Sequence, residues 1–261
     1  MSCISQPVSL PSMGMNGLDA FRGNGPLYQS VQRQILDALS RGEWRPDEAI
    51  PSEKRLCERF GVSIGTLRKA IDGLVSDHIL VRQQGLGTFV ASHNRPRQFF
   101  QFFNISPHDG PRTYPEISLA GFSVGKADRV AALKLGIEAN SEVLKIKNLS
   151  VMQGRAVIVD NITLAAHRFP GLTEDMVRNR PNTLYNLYLD AFGVNVIHID
   201  ERVRATAATA ATAKPLGLNP GDPVLEIRRI AFTFNRQPVE WRLSHVNTAH
   251  YEYVHRELIE A

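Results

Sequence analysis

At 261 residues with 43% apolar side chains, the chain is long enough for two hydrophobic cores, and two domains are expected. Its formal net charge is +4, yet residues 1–92 hold ten basic and nine acidic side chains, so global charge excludes no class of partner and local placement must decide. Two cysteines, Cys3 and Cys57, exclude a disulfide framework or a paired-cysteine metal cluster, and no apolar run is long enough to span a membrane.

Residues 1–24 mix Ser, Pro, Met, Asn and Gly without periodicity and read as a disordered N-terminal segment. They lack the basic region and continuous apolar stretch of a secretory signal, so a cytoplasmic protein is expected. Leu27, Val31, Ile35 and Leu39 form an apolar stripe on a first helix that stops at Gly42. Ser52 then caps a second helix that begins with Glu53 and breaks at Gly61. Ser63 caps a third, whose Leu67, Ile71 and Leu74 fall on one buried face and leave Gly65, Arg68, Lys69 and Asp72 outside. Cys57 reads as a small core residue of the second helix. Ile79 to Arg82 and Thr88 to Ala91 are short strands around Gln83-Gln84-Gly85-Leu86-Gly87, where the glycines permit a sharp turn. Three helices and a glycine-tipped hairpin make a winged helix-turn-helix over residues 25–92, a shape that suits the major groove of duplex DNA.

The blocks PLYQSVQRQILDALSRGEW, IPSEKRLCERFGVS, TLRKAIDGL and LVRQQGLGTFVA occur in that order from Pro26 to Ala91 and resemble the DNA reader of the GntR family of bacterial transcription regulators. The resemblance implies DNA contacts by Lys54, Ser63, Thr66, Arg68 and Gly87, and the helix and wing surfaces add Ile64, Lys69 and Gly85. One departure stands out: relatives start the recognition helix with arginine and a hydroxyl residue, whereas this chain has Ile64 and Gly65. Without that bidentate donor, either the operator differs, readout rests more on DNA shape, or Ile64 touches a thymine methyl.

His93 to Gln98 is a polar linker in which Arg95 and Arg97 either reach phosphates or are solvated. The second domain, residues 99–261, opens on Phe99-Phe100-Gln101-Phe102-Phe103, a cluster better suited to burial than to base stacking. Strands are expected over Ile117 to Val124, Val143 to Val151 and Ala156 to Leu164, with helices over Asp128 to Leu135 and Thr183 to Phe192. Leu135-Gly136-Ile137 followed by Val143-Leu144-Lys145-Ile146 is echoed by Leu216-Gly217-Leu218 followed by Val224-Leu225-Glu226-Ile227. The echo predicts two helix-plus-hairpin units paired into one antiparallel sheet, each covering the other's apolar face.

FPGLTEDMVRNRPNTLYNLYLDAFGV, IDERVRATAAT and LGLNPGDPVLEIRRIAFTFNRQPVEW are similar to the effector-sensing (UTRA) domain of the HutC branch of that family. That domain shares an antiparallel α+β fold with chorismate lyase, so the fold class implied is α+β, a winged helix-turn-helix followed by a chorismate-lyase-like domain. The resemblance implies a small-molecule effector bound by polar residues on the paired strands, here Asn148, Ser150, Asp160, Arg202 and Glu240. Relatives often carry two arginines where Asn148 and Ser150 stand, which counts against a phosphorylated sugar. Histidines are scattered without zinc spacing, and no phosphate loop, dinucleotide fingerprint or nucleophile elbow occurs, so no metal, cofactor or catalytic residue is expected. A lyase on the second domain is the rival reading, and an architectural DNA binder without effector a third. The expectation is a regulator, not an enzyme: a homodimeric repressor on a palindromic operator, with half-sites about one helical turn apart.

Overall fold

The computed structural model describes residues 26–77, 79–91 and 102–254. The segment 1–24 and the linker 93–98, with Arg95, Arg97, Phe99 and Phe100, lie outside the described residues, and their expected roles with them.

The head is built from three helices, α1 (Leu27–Ser40), α2 (Glu53–Phe60) and α3 (Ile64–Ser76), and a hairpin of β1 (Leu80–Gln83) and β2 (Gly87–Val90). α2 ends at Gly61, whose φ of 63° is the left-handed turn that glycine adopts without a Cβ clash. One core joins Val31, Ile35 and Leu39 of α1 to Leu56 and Phe60 of α2 and Leu67, Ile71 and Leu74 of α3. Cys57 packs half-buried against it. Leu27 departs from the expected stripe, being 42% exposed. A strict spacing of four drifts about 40° per step around a helix of 3.6 residues per turn. Tyr28 therefore packs against the core at that end instead. Wing pairing runs from Leu80↔Val90 to Gln83↔Gly87, and Ala49 bridges Phe89 beside it.

The second domain is a six-stranded antiparallel sheet in the order β4 (Glu116–Lys126), β5 (Glu142–Met152), β6 (Arg155–Ala165), β9 (Gln237–Val246), β8 (Pro223–Thr233), β7 (His198–Ala207). Helix α4 (Arg129–Leu135) connects β4 to β5, and α7 (Ala210–Leu216) connects β7 to β8. The halves β4-α4-β5-β6 and β7-α7-β8-β9 thus repeat one plan, with β6 and β9 paired at the seam. Each helix lies across the other half: α4 shares a cluster with Trp241 of β9, and α7 one with Val159 of β6. The expected repeat is present and extends further than its helix and hairpin, because the strand before each helix belongs to it.

The opposite face is covered by two insertions. Between β6 and β7, the short α5 (Glu174–Arg178) and α6 (Leu184–Phe192) bury Val177, Leu184, Tyr185 and Tyr188 against Ile146, Ile162 and Leu164. At the other end a ribbon of β3 (Ile105–Pro107) and β10 (Tyr251–Tyr253), paired Tyr251↔Pro107, buries Ile105 and Tyr251 against Met152, Ile158 and Val246. A cleft remains between the two.

Head and sheet domain touch. The β8–β9 hairpin turns at Phe234–Arg236, where Asn235 and Arg236 hold left-handed φ of 56° and 52°, and the Asn235 side chain donates to Asp37 of α1 at 3.2 Å. Phe234 and Ile197 pack against the head core, and Asn195 donates to the Ala91 carbonyl at 3.0 Å.

Candidate nucleic-acid interface and ligand cleft

The start of α3 is fixed by Ser63, whose hydroxyl accepts from the Thr66 amide at 3.3 Å. That cap sets the rotation of the helix: Leu67, Ala70 and Ile71 turn inward, and Ser63, Ile64, Gly65, Arg68 and Lys69 are exposed. Thr66 is half-buried, its hydroxyl 3.0 Å from that of Ser63. Ile64 is 45% exposed, an unusual amount for a β-branched apolar side chain. At Gly65 a Cβ would meet nothing within 4 Å, so no packing inside the chain explains glycine there. Arg68 donates through Nε to both carboxylate oxygens of Glu53, at 3.2 and 3.0 Å, tying α3 to the first turn of α2 beside the exposed Lys54. Arg82 of β1 pairs with Asp72 of α3 at 2.7 Å and ties the wing to the same helix. Lys69 instead turns towards α1, its ammonium 4.4 Å from the centre of the Tyr28 ring. Gly85 and Gly87, at φ of 74° and 121°, shape an exposed tip that leaves Leu86 71% exposed.

In the sheet domain the cleft is lined by two adjacent cross-strand rows on one face. One runs Asn148↔Asp160↔Ser244↔Ile227, and the next Ile146↔Ile162↔Arg242↔Arg229↔Glu201. Two lobes share Phe103, Ile117, Arg229 and Arg242. The larger, of about 470 Å³ and open on one side, is walled by Phe102, Tyr185 and Leu184 and reached by Asn148 and Arg180. The other contains Ser150, Asp160 and Ser244.

Most of the charge in this cleft is already paired. Glu201 lies 2.7 Å from Arg229 and also accepts from Asn104 at 3.1 Å and from the Tyr253 hydroxyl. Although burial would raise the Glu201 pKa, Arg229 pulls the carboxyl below its ordinary value. Arg229 also donates to the Phe102 carbonyl at 2.6 Å, fixing the phenylalanine wall. Glu240, fully buried, accepts from Tyr185 at 3.1 Å, Tyr188 at 2.8 Å and Arg242 Nε at 2.8 Å. Burial, then the charge of Glu240, pushes the Tyr185 phenol up to about 12, so it stays a neutral donor. For Arg242 burial opposes the charge, but Glu240, Tyr185 and Asp160 outweigh it and raise its pKa.

Asn148, Ser150 and Asp160 therefore line the cleft, while Glu240 stands behind Arg242 as its clamp. Arg202 does not join them. Strand side chains alternate, and with Glu201 facing the cleft Arg202 must face the other side, where it borders a groove with Lys134 of α4 and Asp128, the residue that caps that helix. The cations of the cleft are Arg180, Arg229 and Arg242, which sequence reasoning missed. A signal existed for two of these assignments. Glu201 is flanked two residues away by Ile199 and Val203, and Arg229 by Ile227 and Ala231, whereas Arg202 is flanked by Asp200 and Arg204.

Comparison with known proteins agrees with both parts. Residues 27–90 match the description "Bacterial regulatory proteins, gntR family", and residues 113–252 match the UTRA domain. This chain belongs to the gntR family. The GntR regulator is 30% identical over 220 residues to the "Probable fructoselysine utilization operon transcriptional repressor" of Escherichia coli strain K12, covering 82% of this chain and 87% of that one. It is 29% identical over 249 residues to the "Histidine utilization repressor" of Pseudomonas putida, covering 92% and 97%. Among solved structures, the ligand-binding domain of a GntR-family transcriptional regulator from Bordetella bronchiseptica matches with a TM-score of 0.56 and 29% identity, over 58% of this chain and 94% of that one. YydK from Bacillus subtilis matches 89% of this chain and 99% of that one with a TM-score of 0.52, and at 19% identity it speaks for the fold alone. The protein is thus a transcription regulator with a DNA-binding head and an effector-binding UTRA domain, and the lyase reading falls away. No helix among the described residues is long and apolar enough to cross a membrane.

Proposed function

We propose that this GntR regulator is a cytoplasmic repressor that acts as a homodimer on a palindromic operator and responds to a small metabolite in the cleft of its UTRA domain. Residues 25–92 form the reader, 93–98 the linker, and 99–261 the sensing and dimerising domain. The reader contacts duplex DNA through Lys54, Ser63, Ile64, Thr66, Arg68 and Lys69 and through the wing at Gly85 and Gly87. Arg180, Arg229, Arg242, Asn148, Ser150 and Asp160 hold the effector. The observation that carries the reading is the exposed face of α3, which presents Ile64 and Arg68 beside a wing tied to the same helix by Arg82 and Asp72. One such helix reads only a few base pairs, so specificity calls for two heads with half-sites about one helical turn apart. The names of both relatives support repression.

Effector occupancy reaches the head through the β8–β9 hairpin, which carries Arg229 and Arg242 at its middle and Asn235 at its tip. Arg68→Ala should weaken binding to a fragment of the gene's own promoter at least several-fold in a gel-shift titration, while loss of its exposed pair with Glu53 lowers the thermal midpoint by no more than about 4 °C. Equal binding by variant and parent would remove Arg68 from the interface.

A further inference from the structure

The ionic inventory of the cleft restricts what can occupy it. Arg180, Arg229 and Arg242 supply three positive charges, and Glu201, Glu240 and Asp160 supply three negative ones. The site is close to neutral before any ligand arrives. Two of its arginines are committed: Arg229 to Glu201 at 2.7 Å, and Arg242 to Glu240 at 2.8 Å with Asp160 at 3.8 Å. A doubly charged phosphate would carry its excess charge into a site with one cation left to meet it, and desolvation of the second charge would go uncompensated.

Arg180 is that cation. It follows α5 in the loop that leads into α6, donates to the Val177 carbonyl, and has no carboxylate partner among the described residues. Its Nε is buried without an acceptor, and burial depresses its pKa. Next to it in the lining stand Thr183, Leu184 and Tyr185, the cap and first turn of α6, whose positive dipole end favours an anion. Across the cleft, Asn148 is 2% exposed and its Oδ1 is buried with no donor to satisfy it. A buried acceptor left unmade is costly, so its partner belongs on the ligand. Between the two polar ends the walls are Phe102, Phe103, Ile117 and Leu184, which accept a carbon skeleton or a ring and offer a sugar's many hydroxyls little.

We propose that the effector is a small monocarboxylate with at least one N–H or O–H donor, neutral as a zwitterion or carrying one negative charge, its carboxylate held by Arg180 at the start of α6 and its donor by Asn148 Oδ1. Amino acids and their N-substituted derivatives have this chemistry, and phosphorylated sugars do not. The proposal rests on the cleft being the effector site of a DNA-binding regulator, and the test keeps the two apart. Full-length protein is first titrated against its own promoter fragment by fluorescence anisotropy; failure there strikes the regulator reading itself. The same protein is then screened by thermal shift and calorimetric titration. The probes are the proteinogenic amino acids, N-substituted amino acids including fructoselysine, small hydroxy and imidazole monocarboxylic acids, and glucosamine 6-phosphate and fructose 6-phosphate.

The expected result is a monocarboxylate that binds and changes promoter affinity, no comparable binding by either sugar phosphate, and an affinity about 10- to 100-fold weaker in Arg180→Gln. Asn148→Leu should weaken the same ligand, while Asn148→Asp, which keeps an acceptor, should retain a ligand bearing an ammonium group. The proposal is overturned if promoter binding is intact but no monocarboxylate binds, if a sugar phosphate binds more tightly than all of them, or if Arg180→Gln leaves the affinity of the hit unchanged. Should a variant fail to fold, the ranking of monocarboxylates against sugar phosphates on the parent protein decides alone.

Discussion

Replacing Tyr188 by phenylalanine isolates the clamp behind the cleft. The ring is fully buried and packs 4.7 Å from that of Phe169, contacts that the substitution preserves, so the perturbation is the loss of one hydroxyl. That hydroxyl donates to Glu240 Oε2 at 2.8 Å, and the same oxygen keeps a bond from Arg242 at 3.1 Å. The carboxylate is weakened but not orphaned, which puts the loss near the value of one hydrogen bond to a charged group, about 1.5–3 kcal/mol. For a domain of this size each kcal/mol moves the melting temperature by about 2–4 °C, so a fall of about 3–12 °C is expected by scanning calorimetry. The partner is checked by repeating the substitution in Glu240→Gln: with the charge gone, the cost of Tyr188→Phe should drop below about 1 kcal/mol. If Tyr188→Phe costs as much in that background as in the parent, the hydroxyl does not act through the carboxylate and the reasoning fails.

Glu201 gives a pH dependence. Its folded carboxyl titrates below the ordinary 4.5, so its contribution to stability is complete above that value and lost as the pH falls through the lower folded one. The melting temperature should hold from pH 8 to about pH 5 and then decline, and Glu201→Gln should start lower at neutral pH but decline less steeply. Ile64→Arg, at an exposed position, should leave the melting temperature unchanged and alter which base is preferred at the outer operator positions in a selection from randomised duplexes; an unchanged preference would take Ile64 out of base readout. Asn235→Gly keeps the left-handed backbone and removes the side-chain contact to Asp37, so amide exchange at residues 37–41 should quicken while the cleft keeps its ligand affinity.

Where local chemistry decides, the sequence was readable. Ser63 caps, Gly61 turns left-handed, and the apolar spacing of α3 tells its two faces apart, so the reader could be written down helix by helix. Repetition revealed the two halves of the sheet, since Gly136 and Gly217 end α4 and α7 in the same conformation. The cleft was harder because it depends on parity and on distant pairing. Arg228 and Arg229 are neighbours in sequence and point to opposite faces, and a single residue of register decides which one meets a ligand. The inner faces of β8 and β9 also carry Arg229, Glu240, Arg242 and Ser244, which defeats any rule that puts apolar residues inside. Arg180 lies in a loop with no periodic signal, and the ribbon of β3 and β10 joins segments more than a hundred residues apart. The two arginines relatives often carry on β5 were read as lost, yet arginine reappears on β8 and β9.

The hairpin that ends at Asn235 has a mechanical consequence. Antiparallel pairing fixes its register rung by rung, and from Arg229 to Thr233 it spans roughly 13 Å of strand. Pairing with β7 as far as Phe232 and with β6 as far as Glu240 holds it in the sheet, so only its last few residues, around Phe234–Arg236, project as a tip. That tip abuts the helix that braces the reader, so the arginines of the cleft and the DNA head share one continuous hydrogen-bonded element.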